Sequence, residues 1–169
     1  MLRIFSIFLA SLTLNTIAAE QTDSLVFSAM GCGPYTTEDV QAIAYYIREE
    51  NRSKDSEFLV HLGDINSGDM ARKGKLTEAY YASISKLLTE NNKIPTYIVP
   101  GDNEWNDRPD PEIGWKHWTR HLGNLEKNFT VRWKTERQKI RPENFSFVRK
   151  GVLFIGINLV GGRVHDKQE

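Results

Sequence analysis

Up to residue 99, short apolar runs alternate with segments in which apolar residues recur at helical spacing. Apolar runs over residues 25–30, 58–62 and 95–99 each stop at a glycine-containing turn and predict three strands. The intervening segments predict one helix from residue 37 to about residue 50 and a second over residues 76–88. Strands that are apolar without alternation are typical of a parallel sheet buried on both faces. We therefore expect an α/β fold in which the sheet lies between helices.

The pattern changes after residue 104. A polar, proline-containing loop over residues 105–111 leads into apolar spacing that predicts a helix ending near Gly123. Residues 132–141 are basic and weakly patterned, and we interpret them as a solvated connection. Apolar runs over residues 144–148 and 152–157 flank Arg149-Lys150-Gly151, which predicts an antiparallel hairpin.

Residues 1–19 have the pattern of a signal peptide. A short positive start at Arg3 is followed by an apolar run over residues 4–14 and by small residues up to Ala19. This run is too short to span a bilayer. We therefore expect a secreted or lumenal protein with no membrane attachment after cleavage. An N-terminal core helix or an uncleaved anchor is the alternative interpretation of the same pattern.

The composition is that of an ordinary globular domain. The chain has 169 residues, 40% of them hydrophobic, which is enough for one domain with a core. Basic and acidic residues both number 22, so no excess charge favours nucleic acid as a partner. Cys32 is the only cysteine, which excludes an internal disulfide. Sequons at Asn51, Asn128 and Asn144 predict a glycoprotein if the source is a eukaryote.

Acidic residues follow the second and third predicted strands. Gly63-Asp64 ends one of these strands and Gly101-Asp102-Asn103-Glu104 ends the other. Ligands of open α/β sheets bind beyond the carboxyl ends of the strands, and two carboxylates placed there repel each other unless a cation neutralises them. The pattern therefore predicts a divalent metal site, with turn formation or helix capping by each Gly-Asp as the alternative. His61, inside the second strand, is interpreted as a hydrogen-bonded core histidine rather than a ligand.

Two blocks of the sequence resemble a known family. Val60-His61-Leu62-Gly63-Asp64-Ile65 and Val99-Pro100-Gly101-Asp102-Asn103-Glu104-Trp105-Asn106-Asp107 are similar to the second and third signature blocks of the calcineurin-like metallophosphoesterases. The likeness is greatest to a branch with Gly-Asp-Asn-Glu-Trp where the wider family has Gly-Asn-His-Glu or Gly-Asn-His-Asp. It extends over residues 25–162. The resemblance implies an αββα sandwich, of which this chain supplies the first sheet and the start of the second.

The resemblance also implies a role for each site residue. Asp64 is expected to bridge two metal ions, and Asp102 to take the place of the metal-binding Asn. Asn103 is a catalytic candidate, in the position of the His that protonates the leaving group or holds the transition state. Glu104 is the second catalytic candidate, as a positioning acid, and Trp105 is expected to pack beside the site. The implied reaction is hydrolysis of a phosphate ester by metal-activated water, with a phosphorylated small molecule or a phosphoprotein as substrate.

The chain departs from the family at the end of the first strand. Cys32-Gly33-Pro34 stands where the family has Asp-any-His. Cys32 is therefore a third candidate metal ligand, as a thiolate, and its alternative is a small buried residue. The family's later His-bearing blocks do not occur in this sequence. The cofactor expected is one or more divalent metal ions (Fe, Zn or Mn), because all three accept Asp or Asn ligands.

Three hypotheses arise from these similarities and differences. The first is metal-dependent phosphoester hydrolysis. The second is a catalytically impaired member whose phosphoesterase fold serves binding or interaction. The third is an unrelated α/β binding module whose Gly-Asp turns are structural. In the first two, the domain over residues 24–169 is expected to lack its C-terminal part, which would leave a sheet face and a sheet edge exposed.

Overall fold

The computed structural model describes residues 24–160, so the predicted signal peptide and residues 161–169 lie outside the described part. At its centre is a three-stranded parallel sheet of β1 (Ser28–Met30), β2 (Leu59–His61) and β3 (Thr96–Ile98), in that spatial order. Met30 pairs with His61, and His61 pairs with Ile98, so the three strands end at the same level. The predicted strands and their parallel pairing are confirmed, and each strand is shorter than its apolar run.

In residues 24–160 the helices are α1 (Thr37–Ser53), α2 (Gly68–Arg72), α3 (Glu78–Thr89) and α4 (Pro111–His121), followed by a 3-10 helix over Leu125–Asn128. The start of α1 is set by a capping box between Thr36 and Asp39, in which each side chain accepts from the other residue's backbone N–H. Lys54 ends this helix in the left-handed conformation. Thr77 begins α3 by accepting from the Tyr80 N–H.

One face of the parallel sheet packs against helices. Right-handed crossovers between neighbouring parallel strands place their helices on the same side, and α3 contacts both α1 and α4. The core between the sheet and these helices includes residues that are at most 3% exposed: Ile47, Tyr81, Ile84, Ile98 and Trp118. This layer therefore covers one face of the parallel sheet, and the strand-end loops emerge at its carboxyl edge.

The other face of the parallel sheet packs against an antiparallel sheet. This second sheet has the order β4-β5-β6, with β4 (Glu136–Arg137), β5 (Phe145–Arg149) and β6 (Val152–Gly156). Phe58 is fully buried between the sheets, with ring-centroid distances of 5.0 Å to Phe147 and 4.8 Å to Phe154. The expectation of helices on both faces is therefore wrong. An apolar run shows that a strand is buried, but it does not show which kind of element buries it.

Two short elements also differ from the expectation. Residues 68–74, for which the apolar pattern predicts no element, contain α2, which the Ser67 hydroxyl caps by accepting from the Met70 N–H. Part of the basic stretch, interpreted as a solvated connection, is strand β4. There the Arg137 guanidinium forms an ion pair with the Glu126 carboxylate, 2.7 Å between Nη2 and Oε2, and both side chains are largely buried. Because Glu126 lies outside the basic stretch, the local sequence pattern around Arg137 does not indicate this ion pair.

The outer face of the antiparallel sheet is apolar and open to solvent. Val148, Leu153 and Ile155 are each more than half exposed, on the face opposite Phe147 and Phe154. The expected exposed sheet face is therefore present in the described residues. None of the helices in residues 24–160 combines the length and the apolar character that a membrane span requires.

Replacing Phe58 tests the contact between the two sheets. Because its ring is fully buried among other aromatic rings, we expect Phe58→Ala to lower the free energy of unfolding by about 3–5 kcal/mol. Ile155→Ala, on the exposed face of β6, should change it by no more than about 0.5 kcal/mol. Urea denaturation of both variants measures the difference. Equal midpoints would show that the packing of the two sheets does not depend on Phe58.

Candidate functional site

Three loops at the carboxyl edge of the parallel sheet converge on one site. Cys32 follows β1, Asp64 follows β2 and Asp102 follows β3. The Cys32 thiol donates to Asp64 Oδ2 over 3.6 Å, and Asp64 lies close enough to Asp102 for its charge to raise the pKa of the Asp102 carboxyl group. The structure therefore brings together the three side chains that the sequence predicts as metal ligands.

Two of these residues have a backbone conformation that residues other than glycine rarely adopt. Asp64 has φ 56° and Cys32 has φ 58°, both in the left-handed region. Hydrogen bonds between the two loops hold this conformation: the Cys32 N–H donates to the Gly63 carbonyl over 3.1 Å, and the Gly33 N–H donates to the Asp64 carbonyl over 2.8 Å. Strain of this kind persists only where surrounding contacts enforce it, and it is concentrated at functional sites.

The loops after β2 and β3 touch each other through glycine. A Cβ added to Gly63 would lie 2.2 Å from the Gly101 nitrogen, and one added to Gly101 would lie 2.1 Å from Asp64 Oδ1. Any side chain at either position would collide with the facing loop. Glycine is therefore required at both positions for Asp64 and Asp102 to approach each other.

The Glu104 carboxylate holds the same two loops together from their buried side. Its Oε1 accepts from the Ile65 N–H and its Oε2 from the Gly101 N–H, each over 3.1 Å. Burial raises the pKa of Glu104 to about 8, the charge of Asp64 adds to the rise, and the two N–H donors oppose it. The side chain is fully buried. Glu104 thus has the geometry of a positioning group, with no oxygen open to a ligand.

Asp102 and Asp64 form a carboxyl pair at the open side of this junction. Burial raises the pKa of Asp102, and the neighbouring Asp64 carboxylate, as an acceptor for the Asp102 proton and through its charge, raises it further. The backbone N–H groups of Asp102 and Asn103 oppose this rise. Two carboxylates held this close are stabilised by a shared proton or by a cation between them.

Asn103 lies beside this pair and is largely buried. Its backbone N–H donates to Asp64 Oδ1 over 3.4 Å, and its Nδ2 donates to the Asn66 carbonyl over 2.8 Å. A carboxamide nitrogen carries two protons, so one N–H of Asn103 is left for another acceptor. Trp105 packs against Trp115, 5.2 Å between ring centroids, and is 8% exposed. The expectation that Trp105 packs beside the site is confirmed.

Tyr35 belongs to the site although the sequence pattern does not single it out. Its hydroxyl lies next to the Cys32 thiol. Burial raises the pKa of Tyr35, and the contact with Cys32 and the charges of Cys32, Asp64 and Glu104 raise it further. The only sequence signal for this residue is its position in the loop that follows β1, three residues after Cys32.

His61 fixes the loops after β1 and β2 to each other. Its Nδ1 accepts from the Gly63 N–H over 3.1 Å, which leaves the ring proton on Nε2 to donate to the Gly33 carbonyl at 2.9 Å. The ring is 1% exposed, and burial lowers the pKa of His61 to about 4. The interpretation of His61 as a hydrogen-bonded core histidine is confirmed.

The donor set fits a divalent ion in part. Cys32 is exposed, so the alternative that it is a small buried residue is wrong. Among residues 24–160, however, no group of three or more His, Cys, Asp and Glu side chains is already spaced to hold a metal ion. One or two carboxylates, completed by water and phosphate oxygens, is the ligand set used by hard ions such as Mg²⁺, and it also suits Mn²⁺. Carboxylates suit manganese, whereas a thiolate at Cys32 suits zinc or iron, so these donors are compatible with each of the three metals.

Comparison with protein families, with curated proteins and with solved structures gives no match for this chain. The fold of residues 24–160 is mixed α/β, with one parallel and one antiparallel sheet. No relative supplies a function, so the function is inferred from the contacts within the site.

Gly63→Ala tests the close approach of the two loops. Gly151, in the β5–β6 turn, is a matched control because its φ of 76° is close to the 87° of Gly63, while a Cβ there would meet no atom within 4 Å. We expect Gly151→Ala to lower stability by about 1–2 kcal/mol through its φ alone. Gly63→Ala should cost much more or prevent folding, because its Cβ collides with Gly101. Equal losses in chemical denaturation would contradict the requirement for close approach.

Protonation of His61 is expected to destabilise the protein in acid. Because folding holds the pKa of His61 near 4, below its ordinary value of 6.5, the neutral ring contributes stability above pH 6.5 that is lost as the pH falls through 4. The effect amounts to about 3 kcal/mol. His61→Gln cannot titrate and should lose less stability than the wild type between pH 7 and pH 4 in urea denaturation. The same loss in both proteins would show that His61 is not responsible.

Proposed function

We propose that this chain is a metallophosphoesterase-like protein of αββα architecture that hydrolyses a phosphate ester with the help of a divalent metal ion. The observation that carries the proposal is the convergence of Asp64 and Asp102 from neighbouring strand ends: the loops that carry them touch at Gly63 and Gly101, and the Asn103 N–H donates to Asp64 Oδ1 over 3.4 Å. The resemblance of the two Gly-Asp blocks to the calcineurin-like metallophosphoesterases supports it. The layer order of helices, parallel sheet and antiparallel sheet is in keeping with such a sandwich.

In this proposal the chain contributes a rigid set of oxygen ligands. Asp64 and Asp102 hold the ion, and Cys32 is a third donor at the same edge. Once bound, such an ion polarises a phosphoryl oxygen and lowers the pKa of a bound water, which makes hydroxide accessible near neutral pH. Glu104 and the two glycines keep the carboxylates in place beforehand, so little reorganisation accompanies binding.

Asn103 has the role of contacting the phosphate. Its second Nδ2 proton is available to a phosphate oxygen, while the first holds the side chain to the Asn66 carbonyl. The resemblance implies two roles for this position, protonating the leaving group or holding the transition state. A carboxamide has no acidic proton, so Asn103 fills only the second role. It stabilises the charge of the transition state and does not protonate the leaving group. The substrate is a phosphorylated small molecule or a phosphoprotein.

A second function is favoured by a different observation. Cys32-Gly33-Pro34 replaces the Asp-any-His pattern, and in the described part of the chain no three ionisable ligands are already spaced for a metal ion. A site with two carboxylates could bind a metal ion and a phosphate group without turning the substrate over. The same fold would then serve as a phosphate-dependent binding or interaction domain.

Asp64→Asn tests the proposed hydrolysis. Asn is well tolerated at the φ of 56° found here and has nearly the same shape, so the fold is expected to persist while the metal-binding charge is lost. Hydrolysis of p-nitrophenyl phosphate and of its diester, measured with added Mn²⁺, should fall by about a hundredfold or more. Removing metal with a chelator should abolish the activity of the wild type, and Mn²⁺ should restore it.

Asp55→Asn is the matched control for this experiment. Asp55 is an exposed acid in the loop between α1 and β2, at the opposite edge of the sheet, so its substitution should leave activity unchanged. Wild-type protein that hydrolyses neither compound with Mn²⁺, Fe²⁺ or Zn²⁺ would overturn the enzyme proposal. Metal binding without hydrolysis would favour the binding domain instead.

A further inference from the structure

The candidate site carries an excess of acidic groups. Asp64 and Asp102 lie within it, beside the Cys32 thiol. A phosphate group carries negative charge, and one divalent ion between two carboxylates leaves no net positive charge to attract it. A site built for phosphate therefore needs a basic side chain close to its opening.

Arg72 is a basic side chain in the required place. It is the last residue of α2, the short helix that follows the Asp64 loop. A Cβ added to Gly68 would lie 2.8 Å from Arg72 Nη1 and 2.9 Å from Asn103 Oδ1. The Arg72 guanidinium and the carboxamide oxygen of Asn103 thus both lie next to Gly68, which has no side chain to separate them.

The loop that carries the site residues also positions Arg72. Arg72 Nη1 donates to Asp107 Oδ2 over 3.1 Å. Asp107 is in turn fixed by its backbone N–H, which donates to the Asp102 carbonyl over 3.0 Å. The orientation of the Arg72 side chain is therefore coupled to the turn that presents Asp102 and Asn103.

An exposed ion pair alone would be a weak reason to assign a role to Arg72. The Arg72 side chain is 64% exposed and that of Asp107 is 28% exposed, and exposed pairs add little to stability. A guanidinium has five N–H donors in a planar fork, however, and Asp107 occupies only one side of it. The remaining donors suit two oxygens of a phosphate group.

We propose that Arg72 is a phosphate-binding residue of this site and that Asp107 is its positioning residue. The inference rests on the proposed function for the nature of the ligand, a phosphate group, and it does not require turnover. Arg72 contributes the positive charge that the acidic site lacks and contacts the phosphate oxygens from the side of α2.

Binding of inorganic phosphate tests this assignment. The full chain is titrated with phosphate in the presence of Mn²⁺ by isothermal calorimetry, as wild type, Arg72→Gln, Arg72→Lys and Arg52→Gln. Arg52 is the matched control, because it forms an exposed ion pair with Glu49 in α1, away from the site. We expect Arg72→Gln to weaken phosphate binding about tenfold or more. Arg72→Lys should restore part of the loss, since a lysine carries the charge without the fork, and Arg52→Gln should have no effect.

Asp107→Asn is a second test, because phosphate affinity would not change if the ion pair between Arg72 and Asp107 were only structural. It keeps the backbone bond to Asp102 but removes the charge that orients Arg72, so it should weaken phosphate binding by less than Arg72→Gln does. Combined with Arg72→Gln, it should have no additional effect.

The assignment is overturned if Arg72→Gln and Arg52→Gln bind phosphate as the wild type does, or if the wild type binds no phosphate with Mn²⁺. Failure of the proposed hydrolysis is seen separately, as the lack of turnover in wild-type protein. A protein without turnover whose phosphate affinity falls in Arg72→Gln would therefore refute the enzyme and support the role of Arg72.

Discussion

The loops after β2 and β3 are joined by a carboxylate, and the position of every candidate site residue depends on that junction. Glu104 accepts from the N–H groups of Ile65 and Gly101, one in each loop, and an unsatisfied buried N–H would be costly. Gly63 and Gly101 allow the two backbones to come close enough for one side chain to reach both. The parallel strands end at the same level. Because the junction at Glu104 holds the two strand-end loops together, Asp64 and Asp102 lie next to each other.

Bringing two carboxyl groups together opposes folding, so the rest of the structure has to stabilise the arrangement. The aromatic cluster around Phe58 and the helix-side core supply apolar burial on the two faces of the parallel sheet. His61 adds hydrogen bonds between the loops after β1 and β2. These apolar contacts and hydrogen bonds hold Cys32 and Asp64 in the left-handed backbone conformation. Such a site is pre-formed before any ligand arrives, and a cation would relieve the remaining repulsion.

Local pattern predicts most of the first sheet and its helices, because strand runs, helical spacing and the Thr36 capping box are short-range signals. It fails where the cause is distant in sequence. Strand β4 forms by pairing with β5, and the layer that covers the second face of the parallel sheet depends on rings contributed by β5 and β6. The site shows the same difference between features set by local sequence and features set by distant contacts. The Gly-Asp turns are visible in the sequence, whereas Tyr35 and Arg72 become part of the site only through the fold.

The same geometry also relates the two candidate functions to each other. A phosphate group is repelled by Asp64 and Asp102 as long as their charge is uncompensated. A hydrolase and a phosphate-binding domain built on this site therefore have the same first requirement, a bound cation, and Arg72 serves either of them. They differ only after the phosphate is bound, because turnover needs a nucleophile and a proton for the leaving group. Asn103 cannot donate that proton, so in the hydrolase it has to come from another group of the site or from water.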